Sequence, residues 1–65
     1  MPIVEVKMAK GRTTEQKKAL VQAITDDCVS ILKVERAWVT VVMEEFDEEN
    51  WGVGGELLTV VNKKD

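Results

Sequence analysis

The sequence predicts an α+β fold made of one βαβ unit with parallel strands, completed by oligomerisation into a four-stranded sheet with helices on one face. Three observations carry this expectation. The hydrophobic patterns run strand, long amphipathic helix, strand, and a crossover helix makes two such strands parallel neighbours with a right-handed connection. The chain has 65 residues, a length that buries only about 60% of the surface its unfolded form exposes. Finally, Cys28 is the only cysteine and there is no histidine, so disulfides and the commonest metal ligand are not available to stabilise it. Self-association remains, because a sheet needs at least three strands with a covered face.

The first element follows Met1-Pro2. Ile3 to Met8 is β-branched and alternating, with Val4, Val6 and Met8 on one face and Ile3, Glu5 and Lys7 on the other, the pattern of a strand with one buried side. Pro2 has no N–H to give a ladder, so it can stand only at the start or edge of that strand. Gly11 supplies the bend in the connector from Ala9 to Arg12. Thr13 and Gln16 then have the spacing of a capping box that starts a helix.

From Thr14 to about Lys33, Leu20, Ile24, Cys28 and Ile31 form an apolar row flanked by Val21, Ala23, Val29 and Leu32. Glu15, Lys17, Lys18, Gln22, Asp26, Ser30 and Lys33 fall mainly on the other side, which makes an amphipathic helix roughly 30 Å long. Residues 34–37 link it to Trp38-Val39-Thr40-Val41-Val42-Met43, a nearly continuous apolar run that reads as a strand covered on both faces. The acidic stretch from Glu44 to Asn50 reads as a solvated loop or turn, and its spacing matches no calcium loop. Three glycines between Trp51 and Glu56 predict a tight turn or small hairpin. Leu57 to Val61 suits either a helical turn or an added strand, before a polar tail from Asn62 to Asp65. No internal repeat or domain boundary is visible, so residues 1–65 read as a single domain.

Composition narrows the partners. Apolar residues make up 45% and charged residues 32% of the chain, as in ordinary globular domains. No 18-residue apolar run and no basic-plus-apolar leader appears, so no membrane partner is expected and the cytoplasm is the default location. The net charge of −3 argues against nucleic acid, whose phosphates call for a basic face. Cys28 lies on the apolar helix face as a small core residue, and Trp38 and Phe46 read as packing or interface residues. Small molecules and further copies of the chain are the expected partners.

Four features now coincide: Met1-Pro2-Ile3 opening a strand, Gly11-Arg12-Thr13 with Glu15-Gln16-Lys17 at a helix start, a Val-rich second strand, and Trp51-Gly52-Val53-Gly54-Gly55-Glu56. In this order and spacing the chain closely resembles the short-chain members of the 4-oxalocrotonate tautomerase family, over nearly its whole length. The resemblance implies βαβ subunits that dimerise through their sheets and commonly form hexamers. It also implies interconversion of enols and α,β-unsaturated ketones of 2-oxo acids, with no metal or organic cofactor. The small-molecule partner would be an enol or 2-oxo carboxylic acid such as 2-hydroxymuconate or phenylenolpyruvate.

By the same resemblance, Pro2 matches the amino-terminal general base, Arg12 the arginine for the substrate's carboxylate end, and Trp51 the aromatic wall. An initiator Met before Pro is a good candidate for removal, which leaves Pro2 with a free secondary amine. Where the family has a second arginine, which a neighbouring subunit supplies for the 2-oxo acid end of the substrate, this chain has Thr40. Arg36 shares the strand parity of Thr40 and would reach the same face if the strand extended back that far. Three outcomes fit this pattern: a tautomerase, another Pro-dependent reaction such as hydration or decarboxylation of an unsaturated acid, and a family member that keeps the oligomer without the activity.

Overall fold

The computed structural model describes residues 1–62. Its elements are β1 (Ile3–Ala9), α1 (Thr14–Leu32), β2 (Thr40–Phe46), β3 (Gly52–Val53), β4 (Glu56–Leu57) and a short α2 (Leu58–Asn62), with 3-10 turns at Arg36–Trp38 and Glu48–Asn50. From Lys63 onward, the expected polar tail lies outside the described residues.

β1 and β2 pair in parallel from Ile3 beside Thr40 to Ala9 beside Phe46. The expected alternation holds in β1: Val4, Val6 and Met8 are half-buried, while Ile3, Glu5 and Lys7 are exposed. β2 differs from expectation at both ends. It starts at Thr40 because β1 begins at Ile3, and Trp38 is held instead in a 3-10 turn by its N–H donating to the Glu35 carbonyl at 3.0 Å. It continues through Glu44-Glu45-Phe46, which the acidic composition suggested was loop. Those carboxylates fit a strand because each meets a lysine: Glu44 pairs with Lys7 at 2.6 Å and Glu45 with Lys17 at 2.8 Å.

The helix begins as its capping box predicts. The Gln16 N–H donates to Thr13 Oγ1 at 3.1 Å, and the Thr13 N–H donates to Gln16 Oε1 at 2.9 Å. It ends at Lys33, whose left-handed backbone (φ 57) lets its N–H reach the Val29 carbonyl. The face it turns inward is rotated from the expected row. Thr25, at 9% exposure, is the most enclosed side chain, with Val21, Ile24, Cys28, Val29 and Lys17 half-buried around it, whereas Leu20 is exposed and Ile31 is 74% exposed. The 3.6-residue period sets the spacing of a stripe, but a two-stranded sheet is too narrow to cover an apolar arc this wide.

The last third of the chain forms the expected hairpin. β3 and β4 pair antiparallel around Gly54 and Gly55, whose φ values of 61 and 87 are those of a turn with both central residues left-handed, the geometry that matches strand twist. Leu58 N–H continues this ladder to the Trp51 carbonyl at 2.8 Å.

Among the described residues no apolar side chain is fully buried. The radius of gyration is 15.0 Å, against about 11 Å for a compact chain of this length. The hairpin stands away from the βαβ unit, and the face of the sheet opposite α1 is bare: Ile3 is 69% exposed and Val42 46%. β2 is therefore covered on one face only within a single chain.

Candidate active site

The parallel register divides the candidate residues between the two ends of the sheet. Pro2 and Thr40 lie together at the head, where the Thr40 N–H donates to the Pro2 carbonyl at 3.1 Å. This bond pins the backbone of Pro2 while leaving its nitrogen outside the ladder. It also occupies the Thr40 amide, so the Thr40 hydroxyl is the donor that this residue has left to offer. Trp38 stands two residues before Thr40, joined to it by the extended backbone of Val39 (φ −84, ψ 122).

Arg12 and Trp51 belong to the opposite end. Seven residues of β1 separate Pro2 from the connector, roughly 23 Å at about 3.3 Å per residue. There the Lys10 N–H donates to the Phe46 carbonyl at 2.9 Å, and Gly11 turns the chain with φ 123, a conformation that side chains disfavour. Arg12 follows, just before the helix cap. Trp51 packs edge-on against Phe46, with ring centroids 5.9 Å apart and planes at 84°, the arrangement that the ring quadrupoles favour.

Arg12 borders a groove of about 330 Å³ between β1 and α1, with Val6, Met8, Gln16, Lys17 and Leu20 as its other lining residues. Two cations therefore face this space. Lys17 is bound to Glu45, both side chains about one-third exposed, and Arg12 has no ion-pair or hydrogen-bond partner among the described residues. An unpaired guanidinium beside an apolar groove suits a carboxylate, which it can bind bidentately.

The sequence pattern placed Lys17 on the solvent side, Gln16 in the capping box and Leu20 in the apolar row, and gave none of them a place in the site. Their spacing held a signal, since Arg12, Gln16 and Leu20 recur every four residues and so share one side of the helix start. Lys7 and Lys10 at this end are engaged. Glu44 raises the Lys7 pKa by hydrogen bond and charge, and Asp47 does the same for Lys10, which it meets at 2.9 Å.

Arg36 does not extend β2. It sits in the 3-10 turn before the strand, and its Nη1 lies 2.6 Å from Asp26 Oδ1 on α1. The condition under which it would share the face of Thr40 is therefore not met, and its charge is already balanced. No group of cysteine and acidic residues among the described residues is arranged to hold a metal, and no helix there is long and apolar enough to cross a membrane.

The chain is a single βαβ unit with a proline before its first strand, an unpaired arginine at the helix start and an aromatic-glycine hairpin, and over nearly its whole length it is similar to the members of one family of small proteins. The family model described as tautomerase enzyme matches residues 2–60. A probable tautomerase of Dickeya dadantii is 40% identical over 60 residues, covering 91% of this chain and 90% of its own. Among solved structures, a 4-oxalocrotonate tautomerase isozyme of Methylibium petroleiphilum superposes with a TM-score of 0.92 at 31% identity, covering 98% of this chain and all of its own. A subunit of the heterohexamer 4-oxalocrotonate tautomerase of Chloroflexus aurantiacus does so with a TM-score of 0.86 at 30% identity, covering 91% of this chain and 95% of its own. The chain belongs to the tautomerase family.

Proposed function

We propose that this protein is a cofactor-free isomerase that interconverts enol and keto forms of 2-oxo acids, with Pro2 as general base once Met1 is removed. The observation that carries this reading is the state of Pro2: its carbonyl is fixed by the Thr40 amide at 3.1 Å while its nitrogen takes no part in the sheet. Freed of Met1, that nitrogen is a secondary amine at a rigid strand head. An α-amine titrates near ~8 in model peptides, and in the proposed assembly the extra basicity of proline would be offset by desolvation and by Arg12 of a partner copy. A base that titrates near working pH is the effective one.

In the reaction, the Pro2 nitrogen takes the proton from the enol hydroxyl, and the electron pair moves through the conjugated system. The protonated nitrogen then returns a proton to carbon, giving the ketone. Arg12 holds a carboxylate, and Trp51 with Phe46 excludes water on that side. Negative charge builds on the enolate oxygen, where a donor lowers the barrier. The Thr40 hydroxyl of a neighbouring copy is the donor proposed here, because the arginine it replaces in the family pattern is supplied by another subunit.

One chain cannot assemble these parts, because Pro2 and Arg12 are at opposite ends of β1. Two-fold symmetry removes the difficulty. If two copies share one sheet with both helices on the same face, the axis must run along the sheet normal, and a strand paired with its own copy is then antiparallel. Pairing along the outer edge of β1, beside the groove, brings Pro2 of one copy to the Arg12 end of its partner. The Chloroflexus relative is a heterohexamer, and a dimer or hexamer is the assembly proposed here.

The test joins intact mass to an enol-to-ketone assay on 2-hydroxymuconate and phenylenolpyruvate. The protein that begins at Pro2 is expected to turn over at least one of them, and Pro2→Ala to lose about 100-fold or more. A correctly processed protein that is inactive on both, or an unaffected Pro2→Ala variant, would sink this reading.

A further inference from the structure

We infer that Gln16 is a substrate-binding residue of the Arg12 groove, where its side-chain amide donates to the carboxylate that Arg12 holds. The inference rests on the isomerase reading above and names a second donor in that same site.

The capping box fixes which way the amide faces. A glutamine amide has an acceptor end and a donor end. Gln16 Oε1 accepts from the Thr13 N–H at 2.9 Å, so the acceptor end is committed at the helix start. The NH₂ end has no acceptor among the described residues and stays open for a ligand.

The same bond fixes where the amide stands. The Thr13 nitrogen is joined covalently to the Arg12 carbonyl carbon, so the contact sets the Gln16 amide against the Arg12 peptide. Both residues line the groove of about 330 Å³, whose apolar walls are Val6, Met8 and Leu20. Of its polar lining groups, Arg12 brings the unbalanced charge and Gln16 a neutral donor, while the ammonium of Lys17 is balanced by Glu45 at 2.8 Å.

An ionised carboxylate suits this pair. It only accepts, and its two oxygens offer about four lone-pair sites. A bidentate guanidinium fills two of them, and the Gln16 NH₂ can fill another without adding charge. A neutral amide in the same place would set its own NH₂ against these donors and leave hydrogen bonds unmade.

Two variants separate the donor from the cap. Gln16→Glu keeps the acceptor that a capping box needs but has no donor, and Gln16→Met removes donor and cap without adding charge. In processed protein both are expected to raise KM for phenylenolpyruvate about tenfold, the worth of one hydrogen bond to a charged group, with kcat unchanged. A rise in Gln16→Met alone assigns the residue to the cap, and a rise in Gln16→Glu alone assigns the effect to charge; either result, or no rise in both, overturns the inference. Contact is read without turnover from the Gln16 NH₂ signals in heteronuclear NMR, identified by their loss in Gln16→Glu, as benzoate or benzamide is added. Those signals are expected to shift saturably with benzoate and to stay in place with benzamide, or with benzoate in Arg12→Ala. Signals that benzoate leaves unmoved refute the role of Gln16 whether or not the protein is an isomerase. A processed protein that binds benzoate through Gln16 yet turns over neither substrate upholds the donor and removes the isomerase reading alone.

Discussion

At the scale of single residues, Thr40 decides more than any other position. Its amide is committed to Pro2, so under the proposed isomerase function its side chain alone would meet, in a neighbouring copy's site, the task that an arginine performs in the pattern this chain resembles. A charge-assisted bond to a carboxylate contributes about 1.5–3 kcal/mol, which corresponds to roughly 10- to 150-fold in kcat/KM. Thr40→Arg is therefore expected to raise kcat/KM for 2-hydroxymuconate at least tenfold and to change that for phenylenolpyruvate far less. Steady-state kinetics with both substrates check this, and no gain on the dicarboxylate would count against the role given to Thr40. Pro2, Arg12 and Trp51 were legible as candidates only through the resemblance of their motifs to a known family, and Thr40 only as the place where this chain departs from that pattern. The balance of Arg36 by Asp26 was not legible, since residues ten apart meet only through the turn that follows the helix.

At the scale of elements, local chemistry governs the boundaries. The reciprocal Thr13–Gln16 bonds satisfy donors that would otherwise be orphaned at the start of α1, and loss of such a cap costs about 1 kcal/mol. Thr13→Ala should lower unfolding free energy by about that amount, read as a shift in denaturant midpoint with unchanged slope. Since Arg12 directly precedes this cap, a frayed first turn should also raise KM for the carboxylate substrate. At the other end of the chain, Gly55 has φ 87, where a Cβ is strained whatever space surrounds it. Gly55→Ala is expected to cost about 1–2 kcal/mol, measured by the same denaturation. The hairpin and the capping box were readable from short-range signals. The limits of β2 were not, because a strand's length is set by its neighbour: Trp38 has no partner at the head of β1, and Glu44 and Glu45 gain lysine partners along and above it.

At the scale of the whole molecule, the subunit is open. An exposed sheet face, an extended hairpin and a 15.0 Å radius of gyration leave too little apolar surface enclosed for a chain of this size to be stable alone. Stability should therefore follow mass action, with the thermal midpoint rising as protein concentration increases. Scans across a hundredfold concentration range, paired with native mass, test this; a concentration-independent midpoint from a monomer would refute it. The same openness links stability to function, since the β1 edge that needs covering is the one along which a partner would carry Arg12 toward Pro2.

The sequence alone determined the βαβ order, the cap of the helix and the glycine turn, because these depend on neighbours within a few positions. Only the tertiary structure decided which helix face turns inward, that Lys17 is drawn to Glu45, that Arg36 is neutralised, and that Thr40 lies beside Pro2. Those facts depend on the parallel register of β1 and β2 and on the narrowness of the sheet they form. Periodicity gives the spacing of a pattern, whereas its phase and its partners are set by what packs against it.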